Sequence, residues 1–126
     1  MRAAIYARVS SRDQGQDPEN QVHQLRELAA ARSWEVAEVY VDRETGSGKR
    51  YRPEYTRMLA DALRTKRPWD VLLFWSLDRF GREGTRRTLE DLTLLDKVGA
   101  AWVSHQEQYL DTLGPFRDAI IGVVAA

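Results

Sequence analysis

The apolar positions of this chain alternate between two periods. Arg2 to Val9 is a short, nearly continuous apolar run, the pattern of a strand buried on both faces of a sheet. Asp17 and Pro18 then predict a helix start, with Asp17 as N-cap and Pro18 at the first helical position. Val22, Leu25, Leu28 and Ala29 follow at helical spacing, and that helix should end near Arg32. Glu35 to Val41 has strand propensity, and Asp42 is expected to open a polar loop containing Thr45-Gly46-Ser47-Gly48. Pro53 predicts a second helix, with Tyr55, Met58, Leu59, Ala62 and Leu63 on its inward face, and Pro68 closes the connection. Val71 to Trp75 is the clearest buried strand, and Ser76 to Arg82 a short polar stretch behind it. A third helix is expected from Thr85 to Val98, with Leu89, Leu92 and Leu95 inward and Gly99 as its stop. Ala100 to Ser104 predicts a fourth strand. Asp111 to Pro115 leads into an apolar helix through Phe116, Ile120, Val123 and Val124.

Strands alternating with helices imply βαβ units. The expected fold is α/β with three layers, a mostly parallel central sheet of four to five strands flanked by helices. The chain has 126 residues, enough for one domain spanning 1–126, and shows no internal repeat or linker. The last helix ends without a cap or a basic final turn, and the expectation is that a longer helix is cut there.

Composition narrows the classes. Hydrophobic residues make up 43% and charged residues 30%, a globular balance. No apolar run approaches the ~20 residues of a membrane span, and the first apolar segment is too short for a signal peptide. Cysteine is absent, which excludes disulfides, thiol catalysis and cysteine-ligated metals; a cytoplasmic setting fits. Net charge is zero, but Arg43 to Arg87 holds 12 Lys or Arg against 6 Asp or Glu. Arginine supplies 16 of the 19 cations, and its planar fork suits bidentate phosphate contact, although coding bias would produce the same enrichment.

In open α/β sheets, functional groups gather beyond the carboxyl ends of the strands near a switch in strand order. Three segments should meet there: Arg8 to Ser11, Asp42 to Arg52, and Asp78 to Arg82. A hydroxyl, a carboxylate and several guanidiniums together suit phosphoryl transfer, in which positioning and charge stabilisation carry most of the catalysis. No GxxxxGK[ST] or GxGxxG loop is present. The two histidines, His23 and His105, lack partners at metal-ligand spacing and read as structural or exposed.

Tyr6-Ala-Arg-Val-Ser-Ser11 followed by Gln14 and Gln21 resembles the opening motif of the resolvase/invertase (serine recombinase) family. Asp42-Arg-Glu-Thr-Gly46 with Arg52-Pro53, and Leu77-Asp-Arg-Phe-Gly-Arg82, are similar to two further family motifs. Asp111-Thr112 and Gly114 resemble the entry to the family's long helix. Any one of these is weak alone; their order along the chain is what makes the match specific. The resemblance implies a site-specific DNA recombinase catalytic domain. Ser10 would attack a DNA phosphodiester and leave a 5′-phosphoserine linkage. Arg8, Arg79 and Arg82 would surround the phosphate, Arg52 would be a further member, and Asp78 would orient an Arg or handle a proton. Gln21, Tyr6 and Thr45 would form the supporting shell. The resemblance also implies no metal or other cofactor, DNA as partner, and homodimers that assemble into tetramers.

Besides the early stop expected in its last helix, the chain departs from the family pattern in three places. Thr45 replaces the usual serine, the 14–21 segment is atypical, and the spacing leaves open whether Arg52, Arg50 or Arg43 approaches phosphate. Blander readings stand beside these roles: Ser10 as a turn residue, Arg8 and Asp78 as a structural ion pair, Arg86 and Arg87 as a solvated helix face. Trp69, Trp75 and Trp102 read as core or interface, and Trp34 is ambiguous. Two alternative functions are a non-catalytic oligomerisation or regulatory module of the same fold, and a small serine-dependent phosphodiesterase. The isolated domain is expected to be inactive, because DNA affinity rests on many phosphate contacts that a further region would supply.

Overall fold

The computed structural model describes residues 1–10, 18–44, 52–80, 85–112 and 123, with the side chains of 9, 10, 18, 19, 44, 78, 79, 85, 111 and 112 excepted. Strand β1 (Arg2–Ser10) leads to α1 (Pro18–Ala31), β2 (Glu35–Glu44) and α2 (Pro53–Ala62). Then come β3 (Val71–Phe74), the short α3 (Leu77–Phe80), α4 (Thr85–Lys97), β4 (Ala101–Ser104) and a 3-10 segment, His105–Thr112. The strands form one four-stranded sheet in the order β2-β1-β3-β4, and every pairing is parallel. The expected α/β architecture and parallel sheet are therefore present.

Side chains alternate across the sheet, so β1 feeds two cores. Ala4 and Tyr6 join Met58 and Ala62 of α2 and Leu92 and Leu95 of α4 on one face. Ala3 and Ile5 join Leu25 and Ala29 of α1, with Val71, Leu73 and Val103, on the other. Alanines in the central strand let helices on both faces approach closely, while Tyr6, Phe74 and Trp69 fill the volume around them.

The helix ends follow local chemistry. At the end of α4, Gly99 has φ +81°, its N–H donates to Asp96 O at 3.2 Å, and Ala100 N–H donates to Leu95 O at 2.9 Å. That is the paired bonding of a Schellman stop, and glycine takes its left-handed position without strain. After α1 the same pattern recurs with Ser33 at φ 60°, Ser33 N–H bonded to Ala30 O and Trp34 N–H to Ala29 O.

Four expectations need correction, and one element was not expected. Strand β2 does not stop at Val41: Asp42, Arg43 and Glu44 pair with Arg8, Val9 and Ser10, so the parallel ladder carries polar residues that apolar periodicity assigned to a loop. Leu63 is 53% exposed because α2 ends at Ala62 and the chain turns there. Trp75 lies beyond β3, half-buried, with its ring stacked on His105 at 4.7 Å. Of the polar stretch after it, Leu77–Phe80 is helical, as α3. The 3-10 segment after β4 had no counterpart in the sequence reading. The N-cap at Asp17, the Thr45–Gly48 loop and the segment from Leu113 to Ile120 lie outside the described residues.

Candidate active site

Strand order switches between β1 and β3, the position at which an α/β sheet opens a crevice at its carboxyl edge. Residues from four elements meet there. Tyr6 and Arg8 follow one another in β1 at the strand period of two, and both are buried, Arg8 at 8% exposure. A guanidinium at that depth is stable only when engaged, and Arg8 does have partners. The Tyr6 hydroxyl donates to Asp42 Oδ2 at 2.9 Å across the β1–β2 ladder. Burial and the Asp42 carboxylate push that phenol far above its usual range, so it stays a donor.

Asp42 does more than hold Tyr6. Its carboxylate accepts from Glu54 N–H at 3.0 Å and Tyr55 N–H at 2.9 Å. Helix α2 has Pro53 in its first turn and no side-chain cap from its own Arg52, so its free N–H groups are satisfied by a residue of β2. One buried carboxylate thereby ties β1, β2 and the start of α2 together.

Arg52 stands at that helix start. Its Nη1 donates to the carbonyl of Phe80, the last residue of α3, at 2.9 Å, and its guanidinium lies over the Tyr55 ring. The Phe80 ring in turn contacts Phe74 at 4.4 Å, Tyr55 at 5.2 Å and Tyr6 at 6.2 Å between centroids. This aromatic cluster presses α3 onto β1 and α2. Behind it, the Tyr55 hydroxyl donates to the buried Asp91 of α4, which also pairs with Arg87 at 3.4 Å.

Among the candidates for a phosphate-facing cation near the second motif, Arg43 is exposed on β2 and Arg50 lies outside the described residues. Of the two that are described, Arg52 reaches α3. Gln21 of α1 is fully buried, and neither its amide nitrogen nor its oxygen has a hydrogen-bond partner among the described residues. Ser10 ends β1, and Asp78 and Arg79 lie within α3, but the side chains of all three are outside the described set, as are Thr45 and Arg82 altogether. The Arg8–Asp78 ion pair falls outside it for the same reason.

Other side chains are structural. Arg86 is exposed and pairs with Glu90, whereas Arg87 has a defined packing role through Asp91. Trp69 and Trp102 are core residues. Trp34 packs partly buried against the α1 side, with the Arg32 guanidinium 5.3 Å from its ring. His23 is exposed and pairs with Glu27. The sequence reading missed Asp42, Tyr55 and Asp91 as site-building residues. Only Asp42 carried any signal, through its place in a motif, because partners so far apart in sequence leave no periodic trace.

Comparison with known proteins identifies the family. The family model described as "Resolvase, N terminal domain" matches residues 3–126. No curated protein matches the chain significantly. The structure of the N-terminal catalytic domain of TP901-1 integrase is 27% identical with TM-score 0.77, covering 98% of this chain and 91% of that one. The C-terminal catalytic domain of ISC1926 TnpA, an IS607-like serine recombinase, is 30% identical with TM-score 0.66, covering 90% and 77%. A resolvase family site-specific recombinase from Streptococcus pneumoniae shares the fold, with TM-score 0.83 at 21% identity, covering 99% and 85%. The chain belongs to the resolvase N-terminal domain family of serine recombinase catalytic domains.

Proposed function

We propose that this domain cleaves and rejoins DNA with Ser10 as the covalent nucleophile. The observation that carries the reading is the meeting of β1 and α3 at the switch point: the Tyr6 and Phe80 rings are in contact, position 10 is in strand phase with Tyr6 and Arg8, and Arg52 is bonded to the last carbonyl of α3. Ser10 Oγ attacks phosphorus and loses its proton, while the DNA 3′-oxygen leaves and takes one up, giving a 5′-phosphoserine and a free 3′-hydroxyl. Arg8, Arg79, Arg82 and Arg52 neutralise the charge that grows on the nonbridging oxygens. Asp78 orients an arginine or moves the proton. Tyr6, Gln21 and Thr45 support that shell. Because the phosphodiester is exchanged rather than hydrolysed, the 3′-hydroxyl can reverse the attack and reseal the strand without an external energy source.

DNA is the substrate, and two dimers joined as a tetramer would present four such serines for double-strand exchange. Among the described residues no helix is long and apolar enough to cross a membrane; a nucleoid-associated, cytoplasmic setting follows from the substrate.

The test is adduct formation by the full-length recombinase on a cognate site. The wild type should form 5′-phosphoserine adducts, and Ser10→Ala should form none while binding DNA unchanged. Adducts formed by Ser10→Ala would refute the assignment. No adduct from folded wild type would favour a non-catalytic module, and turnover of small phosphodiesters would favour a phosphodiesterase.

A further inference from the structure

We propose that Glu107 is a positioning residue for the recombination reaction, holding the start of α3 so that Asp78 and Arg79 keep their place. The proposal rests on the reading of Asp78 and Arg79 as active-site groups.

Helix α3 has four residues, too few to be stable alone. Its first N–H groups have no intrahelical acceptor, and Leu77 is fully buried, so water cannot serve its N–H. The acceptor is Glu107: Leu77 N–H donates to Oε1 at 2.7 Å, the length of a charge-assisted bond. Ser104 Oγ donates to the same oxygen at 3.1 Å. Glu107 is itself only 6% exposed, a depth that a carboxylate tolerates only with such donors. It is also the residue at which the 3-10 segment leaves helical geometry, with φ −125° and ψ 48°.

Two further contacts hold the segment bearing Glu107 against the segment preceding α3. Gln106 N–H donates to Trp75 O at 3.0 Å, and the Trp75 and His105 rings stack within 9° of parallel. The far end of α3 is fixed by Arg52 on Phe80 O. These two bonds tie down both ends of the four-residue helix, and the residues between them are Asp78 and Arg79. Glu107 touches no reacting atom; it acts through the backbone of α3.

The experiment measures single-turnover adduct formation on nicked cognate DNA by full-length Glu107→Leu and Glu107→Gln, per folded molecule at saturating protein. Misplacement by about 1 Å costs on the order of a hundredfold in rate, so the Leu variant should lose about that much in cleavage with its DNA affinity unchanged. Gln keeps a carbonyl acceptor and should recover most of the loss. The Leu77 amide proton gives a readout that needs neither DNA nor activity: it should be protected and shifted downfield in wild type and Gln, and lose both features in Leu. Should Leu prove unable to fold, the Gln variant and the wild-type Leu77 amide still decide. Ser104→Ala, which removes the other donor, should change stability but not the cleavage rate. Wild-type cleavage by folded Glu107→Leu, equal losses in Leu and Gln, or an unprotected Leu77 amide in wild type would each overturn the proposal. Cleavage retained by Arg79→Ala would instead overturn the placing of α3 in the active site, a separate failure.

Discussion

The guanidinium of Arg52 lies 3.9 Å from the centroid of the Tyr55 ring. That ring is fixed at its other end by the bond from its hydroxyl to Asp91, so a candidate phosphate-binding arginine rests on a platform anchored in α4. Burial, with Asp91 beside it, pushes the Tyr55 hydroxyl far above the usual phenol range and keeps it a donor. Platform and anchor can be separated. Tyr55→Phe keeps the ring and leaves Asp91 one donor short, which should cost about 1–3 kcal/mol of stability, with cleavage per folded molecule little changed. Tyr55→Leu should lose stability and cleavage together. Urea unfolding and single-turnover cleavage on both variants check this; equal cleavage in Phe and Leu would show that the ring does not support Arg52.

Gln21 of α1 is fully buried. Its amide has no partner among the described residues although none of its surface is exposed. Gln21→Leu should therefore raise stability by about 1–2 kcal/mol while slowing DNA cleavage, the trade-off expected of a polar group kept for function. Unfolding midpoints and adduct rates measure the two effects. A destabilised Leu variant would mean that the amide is satisfied in the folded protein.

Arg67 closes the opposite, amino-terminal edge of the sheet. Its guanidinium donates to the carbonyls of Trp69, Ala62, Val98 and Gly99 at 3.0 to 3.2 Å, satisfying the carboxyl ends of both α2 and α4. Arg67→Met should cost about 2–3 kcal/mol. Arg67→Lys should recover less than half of that, because one ammonium cannot replace a planar fork spanning four acceptors. Both variants should cleave normally per folded molecule, and denaturant titration reads the difference.

Ser33 occupies a left-handed position at φ 60° that suits glycine. Ser33→Gly should stabilise the domain by about 0.5–1 kcal/mol, relief of backbone strain outweighing the added freedom of the unfolded chain. A lower unfolding midpoint would show that the serine side chain compensates for its backbone.

Most of the fold is legible in the sequence, and the reason is physical. Period-two and helical spacings, Pro53 at a helix start and Gly99 at a stop act between near neighbours, so they are written locally. The apolar β1 and β3, separated by helices, already implied a parallel sheet with its chemistry at the carboxyl edge. The resemblance of its motifs to the serine recombinase family implied Ser10, Arg8, Asp78, Arg79 and Arg82 as the candidate set. What local pattern could not supply is every contact made across the fold. That β2 runs on through Asp42 depends on a neighbouring strand offering backbone partners. That Asp42 caps α2 and holds Tyr6 36 residues away, and that Arg52 rather than Arg43 reaches α3 over a separation of 28, depends on where the chain brings them. Leu63 keeps the helical phase of a core residue yet is exposed, because α2 ends one residue earlier. Residue type and spacing determined which elements form and which chemistry they can carry. Tertiary packing alone decided which backbone groups were left without partners, and therefore which buried carboxylates and guanidiniums had to complete the site.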